Sequence, residues 1–179
     1  GISTNTSLEY SNKWCWDPTS RRFHHTGICD PSVAGPPFPT AKHNAYDEAN
    51  HRYILKTKPP DVSHTYYHLA IEPAARYLYM YMYDTNIIYR YHLDNNVWDQ
   101  HPQLPFHTAI TGGLVFFPER NGLVWVSGGV VQYYNRSISQ WQTVATGLFM
   151  GIRANFAIYN PVRGEILFGA GIEETAGDP

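Results

Sequence analysis

Residues 109–141, AITGGLVFFPERNGLVWVSGGVVQYYNRSISQW, hold one complete copy of a unit that the chain repeats. Two short apolar runs, LVFF and LVWV, flank the polar segment PERNG, in which Pro presets φ and Asn-Gly supplies the positive φ values of a tight turn. A second pair of runs follows Gly128 and Gly129 and flanks the polar residues 135–139. Because the first two runs are apolar at every position, both faces of their sheet should be covered. The unit is therefore predicted to be a four-stranded antiparallel sheet stacked between two other sheets.

The unit recurs with a period in the forties. The turn prolines Pro73, Pro118 and Pro161 are 45 and 43 residues apart. Aromatic side chains also recur seven residues apart across a polar turn, in the pairs Trp16–Phe23, Tyr91–Trp98 and Tyr134–Trp141. A repeat of this length with two hairpins is typical of a β-propeller. We therefore predict an all-β chain, a β-propeller of four-stranded antiparallel blades, with about three to four blades represented.

The predicted blades differ in completeness. Residues 67–108 and 109–152 are each predicted to form a blade, residues 1–30 a partial first blade and residues 153–179 a partial last blade. Residues 31–66 combine a connector, PSVAGPPFP, with an abbreviated blade, because Pro neither continues a helix nor donates to a central strand. An open ring leaves a bare sheet face, so we expect the chain to be part of a larger propeller, or to complete its ring with another chain.

Residues 77–83, YLYMYMY, place Tyr on one face of a predicted strand and Leu or Met on the other. Packing between stacked blades explains this alternation, since half-buried strands favour aromatic residues. A tyrosine-lined binding face is the alternative.

The double glycine followed by Tyr134 and Trp141 resembles the kelch repeat, and the propeller domain of galactose oxidase is similar. The resemblance implies a disc whose loops bind protein partners, as kelch-like propellers commonly do. Galactose-oxidase-like enzymes hold copper with Tyr and His and a Cys-linked Tyr, but no position in this chain can be matched to those ligands. We therefore predict no catalytic residues, no metal site and no cofactor, and the enzyme question stays open.

The composition limits the classes of partner that we expect. The formal net charge of −2 gives no electrostatic reason to expect nucleic acid or an anionic membrane. The chain has no apolar run near the roughly 20 residues of a membrane span. Its two cysteines, Cys15 and Cys29, permit a disulfide, and two buried free thiols fit the spacing equally well.

The nine histidines show no metal-ligand spacing. His24 and His25 are adjacent and should point to opposite faces of a strand, so they cannot share one ion. His92, His101 and His107 lie at strand edges or in loops, where a surface histidine is the expected interpretation.

The sequence favours a non-catalytic structural or protein-interaction module, a subunit of a larger extracellular, cell-surface or virion assembly. A glycan-binding propeller and part of a galactose-oxidase-like enzyme are the alternatives, because propellers host all three functions. Any binding surface is predicted on the loops that join units, around Phe38, His64, His101, Phe106 and Arg153. Partner identity, compartment and total blade number stay open.

Overall fold

The computed structural model of the chain describes residues 14–27, 42–60, 69–82, 86–105, 112–149 and 156–169. These residues form β-strands and turns, with one short 3-10 helix at Pro118–Arg120. The strands are β1 (Trp14–Asp17), β2 (Arg22–Gly27), β3 (Lys42–Asp47), β4 (Arg52–Leu55), β5 (Leu69–Glu72), β6 (Tyr77–Met82), β7 (Ile87–His92), β8 (Val97–His101), β9 (Gly113–Phe117), β10 (Gly122–Ser127), β11 (Val130–Asn135), β12 (Gln140–Ala145), β13 (Phe156–Asn160) and β14 (Glu165–Gly169).

Three four-stranded antiparallel sheets and one two-stranded sheet follow each other along the chain. We call β1–β4 blade 1, β5–β8 blade 2, β9–β12 blade 3 and β13–β14 the half-blade; within each, neighbours in sequence are neighbours in the sheet. The first strands of successive sheets lie beside one another, β1 with β5, β5 with β9 and β9 with β13. Sheets whose first strands gather in chain order are arranged around an axis, which confirms the predicted β-propeller.

The same turn chemistry connects the first two strands of every sheet. Pro18, Pro73, Pro118 and Pro161 each follow the first strand directly. Three residues after each Pro, the chain adopts positive φ at a residue just before the second strand; these residues are Arg21, Arg76, Asn121 and Gly164. A four-residue loop built on a Pro-initiated turn favours a left-handed residue at its end, so one local pattern produces all four hairpins.

Blades 2 and 3 each direct one row of large side chains at the preceding blade. In blade 2 the cross-strand partners Ile71, Leu78, Tyr91 and Trp98 form this row. In blade 3 the row is Phe116, Leu123, Tyr134 and Trp141. Because strand side chains alternate, the residues between them face the next sheet.

Strand β6 shows the consequence of this alternation. Tyr79 and Tyr81 are buried in the cluster between blades 2 and 3, whereas Leu78, Met80 and Met82 are buried in a second cluster that includes Cys15 of blade 1. The tyrosines therefore pack between blades, which confirms the packing interpretation for Tyr79 and Tyr81. Burial of each such ring contributes about 1.5–3 kcal/mol, so the seams hold much of the core.

The first blade differs from the sequence prediction. Trp16 and Phe23 are cross-strand partners, but in the β1–β2 hairpin, whose turn begins at Pro18. The counterpart of Tyr91–Trp98 and Tyr134–Trp141 is the pair Tyr46–Tyr53 of β3 and β4, whose ring centroids are 5.1 Å apart.

The boundaries of the first blade change accordingly. The predicted division between residues 1–30 and 31–66 falls inside one sheet, because β2 pairs with β3 from Arg22↔Asp47 to Gly27↔Lys42. The Pro-rich segment is thus an insertion between the two hairpins of one blade. The sheets of blades 2 and 3 lie within residues 67–108 and 109–152, and β13–β14 lies within residues 153–179.

Gly113 sets how closely the half-blade approaches blade 3. A Cβ at Gly113 would lie 2.1 Å from the backbone nitrogen of Ala157 and 2.6 Å from its Cβ. Any larger residue would therefore push β13 away from β9. Close backbone approach is a position where glycine is required.

Candidate interaction surface

A Tyr–Trp pair joins blade 2 to blade 1, and another joins blade 3 to blade 2. The ring centroids are 4.9 Å apart in Tyr91–Trp98 and 5.5 Å apart in Tyr134–Trp141. Each indole Nε1–H donates to a carbonyl in the segment after the fourth strand of the preceding blade. Trp98 donates to Thr57 at 2.9 Å, and Trp141 donates to Pro102 at 2.9 Å. The two pairs have equivalent surroundings, as the repeat predicts.

A buried histidine of the preceding blade lies under each Tyr–Trp pair. The His43 ring is 4.5 Å from the Tyr91 ring, and the His101 ring is 4.3 Å from the Tyr134 ring. The sequence predicts a surface residue at His101, but the structure leaves it only 5% exposed because the last residue of β8 faces blade 3. Burial lowers the pKa of His101 to about 4. The imidazole is therefore a neutral part of the seam.

Blade 1 also contains two buried histidines that contact each other. Nδ1 of His24 lies 3.0 Å from Nε2 of His43, so one ring donates and the other, which must be neutral, accepts. Burial lowers the pKa of His24 to about 4 and that of His43 well below its ordinary value. His25 pairs instead with Trp14, with ring centroids 4.4 Å apart, so His24 and His25 point to opposite faces as expected.

Ion pairs cross the same seams. Nη1 of Arg76 donates to both carboxylate oxygens of Asp17 at 2.8 Å. Arg136, in the turn between β11 and β12 of blade 3, pairs with Glu72 of blade 2 across the next seam, although Arg76 lies in the turn between β5 and β6. Asp17 and Glu72 are both buried, and both directly precede the turn proline. An acidic residue at this position, which the sequence analysis missed, is thus the partner of an Arg in the next blade.

Tyr79 and Ser20 complete these two ionic sites. The Tyr79 hydroxyl donates to Glu72 at 2.8 Å and accepts from Nη2 of Arg136 at 2.9 Å. At the other site, burial alone would raise the pKa of Asp17. Hydrogen bonds from Ser20, Arg76 and the Thr19 backbone instead hold this pKa below its ordinary value. These polar groups are committed to contacts between blades.

The described part of the chain contains no cluster of three or more His, Cys, Asp or Glu side chains that could hold a metal ion. Cys15 carries a free thiol, whose pKa burial raises to about 12 with a further contribution from Asp17. Cys29 lies outside the described residues. Within the described ranges, no helix is both long and apolar enough to cross a membrane.

Blade 1 exposes the aromatic row that the other blades bury. The cross-strand partners Trp16, Phe23, Tyr46 and Tyr53 occupy the positions of the blade 2 and blade 3 rows. Phe23 is 41% exposed, whereas its blade 2 counterpart Leu78 is fully buried. Tyr53 is 49% exposed, whereas its counterpart Trp98 is half-buried. We call these four residues the blade 1 aromatic row. It faces away from blade 2.

A second apolar surface lies between blade 3 and the half-blade. An open groove of about 250 Å³ is lined by Val124, Val131 and Val144 of blade 3 and by Ile166 and Phe168 of β14. We call it the blade 3 groove. Val144 and Phe168 are exposed. Contiguous exposed apolar side chains of this kind are typical of interaction sites.

Of the five predicted loop residues, His101 is the one within the described ranges. His101 lies in the seam between blades 2 and 3. Phe38, His64, Phe106 and Arg153 lie outside the described residues. Their role in binding stays a prediction.

The fold and its seams define the class of this protein, a β-propeller. The chain is similar to the crystal structure of a nidogen/laminin complex, with a TM-score of 0.64 and 11% sequence identity, over 87% of this chain and 54% of the other. The chain thus spans about half the length of the solved chain that it matches. No protein-family model and no curated protein matches it. The kelch resemblance therefore stays a prediction, while the β-propeller fold is shown.

Proposed function

We propose that this chain is a non-catalytic interaction module, a β-propeller that binds protein partners as a subunit of a larger extracellular, cell-surface or virion assembly. The observation that carries the proposal is the exposure of the blade 1 aromatic row. Equivalent rows in blades 2 and 3 are buried against a neighbouring sheet. The same kind of surface is exposed in blade 1, which supports binding of a protein partner there.

The composition of the row supports a protein partner. Trp, Tyr and Phe are enriched in protein interfaces, and full burial of one such side chain contributes about 1.5–3 kcal/mol. Leu55, 75% exposed at the end of β4, extends the apolar surface beyond Tyr53. The neighbour of known structure was solved in a complex of two proteins, which agrees with the proposal.

The contacts made by the buried ionisable side chains also support a non-catalytic role. Asp17, Glu72, His43 and His101 are buried ionisable groups, and each is engaged in a contact between blades. A group whose pairing holds the fold together is not free to exchange protons with a substrate. These ionisable groups therefore stabilise the contacts between blades.

Site-specific photocrosslinking tests the proposal. We would place p-benzoylphenylalanine at Tyr53 and, as a matched control, at Ile138, which is also 49% exposed but lies in the turn between β11 and β12. In extracts of the native source, position 53 should crosslink one protein reproducibly and position 138 should not. Tyr53→Asp should abolish capture of that protein.

Two results would contradict the proposal. One is crosslinking that does not differ between the two positions. The other is a glycan array with hits that Tyr53→Asp abolishes, because the aromatic row would then stack on sugars and the glycan-binding alternative would replace the protein partner.

A further inference from the structure

Two imidazoles contact each other inside the seam between blades 1 and 2. Nδ1 of His24 lies 3.0 Å from Nε2 of His43, and the two residues are only 2% and 0% exposed. From blade 2, the rings of Tyr91 and Trp98 lie 4.5 and 5.6 Å from the His43 ring. Because rings of blade 2 cover His43, water can hydrate both imidazoles fully only when the two blades separate.

The apolar cluster in this seam comes almost entirely from blade 2. Among the described residues, Cys15 is the blade 1 side chain packed against the cluster, and its buried members are Leu69, Leu78, Met80, Met82, Tyr91 and Leu93. The cluster between blades 2 and 3 has large members from both blades, such as Tyr81 and Trp125. Blade 1 thus presents imidazoles where blade 3 presents apolar rings, so this seam depends on uncharged histidines.

The groups around the histidine pair do not favour a positive charge there. Both nearby carboxylates are already paired, Asp17 with Arg76 and Asp47 with Arg22. The titratable groups that act on the pair are Asp17, Arg22, His25 and Lys56 on the blade 1 side and Arg76 on the blade 2 side. Cys15 and Tyr91 also face the pair, and they are neutral because burial raises both pKa values to about 12. A proton on the pair therefore meets three cations and, among the described residues, no unpaired carboxylate.

Protonation is therefore linked to separation of the two blades. Burial lowers the pKa of His24 to about 4 and that of His43 well below the ordinary value of 6.5. Hydrated imidazoles regain the ordinary value, so the separated state binds more protons as pH falls below 6.5. Two such histidines raise the equilibrium constant for separation about 500-fold between pH 7 and pH 5. For the seam between blades 2 and 3, His101 alone gives about twentyfold.

We propose that the seam between blades 1 and 2 is a pH-sensitive switch, which opens at mildly acidic pH when the His24–His43 pair is protonated against the apolar face of blade 2. The seam between blades 2 and 3 stays closed under the same conditions. The strand hydrogen bonds lie within each blade, so both sheets persist after opening. The proposal goes beyond the proposed function and does not depend on a partner at the blade 1 aromatic row.

The native thiol of Cys15 reports on this seam. Cys29→Ser leaves Cys15 as the single thiol of the chain. We would measure its reaction rate with 4,4′-dithiodipyridine, a disulfide reagent that reacts at acidic pH. The rate in urea divided by the rate in the folded protein, both at the same pH, gives the protection of the thiol. Protection should fall at least about a hundredfold between pH 7 and pH 5, while the far-UV circular dichroism stays unchanged.

A second thiol provides the matched control. Ala70→Cys, with Cys15→Ser and Cys29→Ser, places one thiol in the seam between blades 2 and 3, where Ala70 is 4% exposed. Its protection should fall no more than about twentyfold over the same range. In the Cys29→Ser protein, His43→Gln should reduce the fall for Cys15 to about twentyfold, because one titrating ring remains. His101→Gln should leave the response of Cys15 unchanged.

Three results would overturn the proposal. Protection of Cys15 is the same at both pH values, or it falls equally for the two thiols because the whole propeller unfolds, or His43→Gln keeps the full response. If His43→Gln does not fold, the comparison of the two thiols with both histidines present decides alone. Crosslinking from position 53 is measured at neutral pH, so failure of the switch and failure of the blade 1 surface give different results.

Discussion

The ion pair between Glu72 and Arg136 gives the most quantitative prediction. Arg136, in the turn after β11, reaches across the seam to Glu72 at the end of β5, whose side chain is 3% exposed. Arg136→Met removes the guanidinium and leaves a buried carboxylate with the Tyr79 hydroxyl as its remaining partner in this site. Breaking a buried pair from one side costs about 3–5 kcal/mol. Because the Arg136 side chain is 29% exposed, we expect about 3 kcal/mol.

Urea denaturation followed by circular dichroism at pH 7 measures this loss. Domains of this size unfold with about 5–15 kcal/mol, so the midpoint should move clearly. The double variant Glu72→Gln with Arg136→Met should recover more than half of the loss, since a neutral amide has a smaller desolvation penalty than a carboxylate. As a control, Arg163→Met breaks the exposed pair with Glu165 and should cost less than about 1 kcal/mol. Equal losses for Arg136→Met and Arg163→Met would refute the reasoning.

Three further predictions concern pH, thiol reactivity and backbone approach. His24 and His101 have pKa values of about 4 in the folded protein against 6.5 in the unfolded chain, so the folded protein binds fewer protons and its stability falls as pH drops from 6.5 towards 4. Each histidine should lower the free energy of unfolding by about 2 kcal/mol between pH 7 and pH 5. Urea midpoints that do not change over this range would exclude buried neutral imidazoles. Cys15 is partly buried and its pKa is raised to about 12, so iodoacetamide should alkylate it more slowly in the folded protein than in urea. Peptide mapping of timed reactions measures the two rates. Equal rates would contradict a protected thiol. Gly113→Ala should lower the free energy of unfolding by about 1–3 kcal/mol and speed amide exchange in the half-blade. Gly169→Ala should do neither, because its added Cβ meets only ordinary contacts at 3.6 Å. Equal effects of the two substitutions would show that Gly113 does not set the approach of β13.

The repeat and the seams of blades 2 and 3 could be predicted because their signals are local. A turn proline, a polar loop and two aromatic residues seven apart lie within about 30 residues of each other in both units. Alternation in β6 similarly predicted which side chains share a face. These features depend on strand geometry and turn chemistry, which neighbouring residues determine.

The first blade was assigned differently because a chance aromatic pair matched the expected spacing. Trp16 and Phe23 are seven apart, as Tyr46 and Tyr53 are, and the Pro-rich insertion between them disturbed the count. Pro18 gave the missing signal: it lies 55 residues before Pro73, against 45 for the next interval, so the insertion belongs inside one blade. Tyr46 lies 45 residues before Tyr91, in step with the prolines.

The candidate surfaces depend on contacts between residues far apart in sequence, which a single sequence does not reveal. Glu72 and Arg136 are 64 residues apart. The burial of His101 results from a sheet that follows it in the chain, and the blade 3 groove combines side chains of two sheets. Exposure of the blade 1 row likewise depends on which faces have neighbours. Composition alone cannot distinguish a buried aromatic row from an exposed one.

The account depends most directly on the equivalence of the two seams, and a nuclear Overhauser experiment on the folded protein tests it. The indole Nε1–H of Trp98 should give a cross-peak to protons of Thr57, and that of Trp141 a cross-peak to protons of Pro102, across 41 and 39 residues of sequence. Both cross-peaks together are the predicted result. The presence of only one, or of neither, would contradict the repeated contact that arranges these blades around an axis.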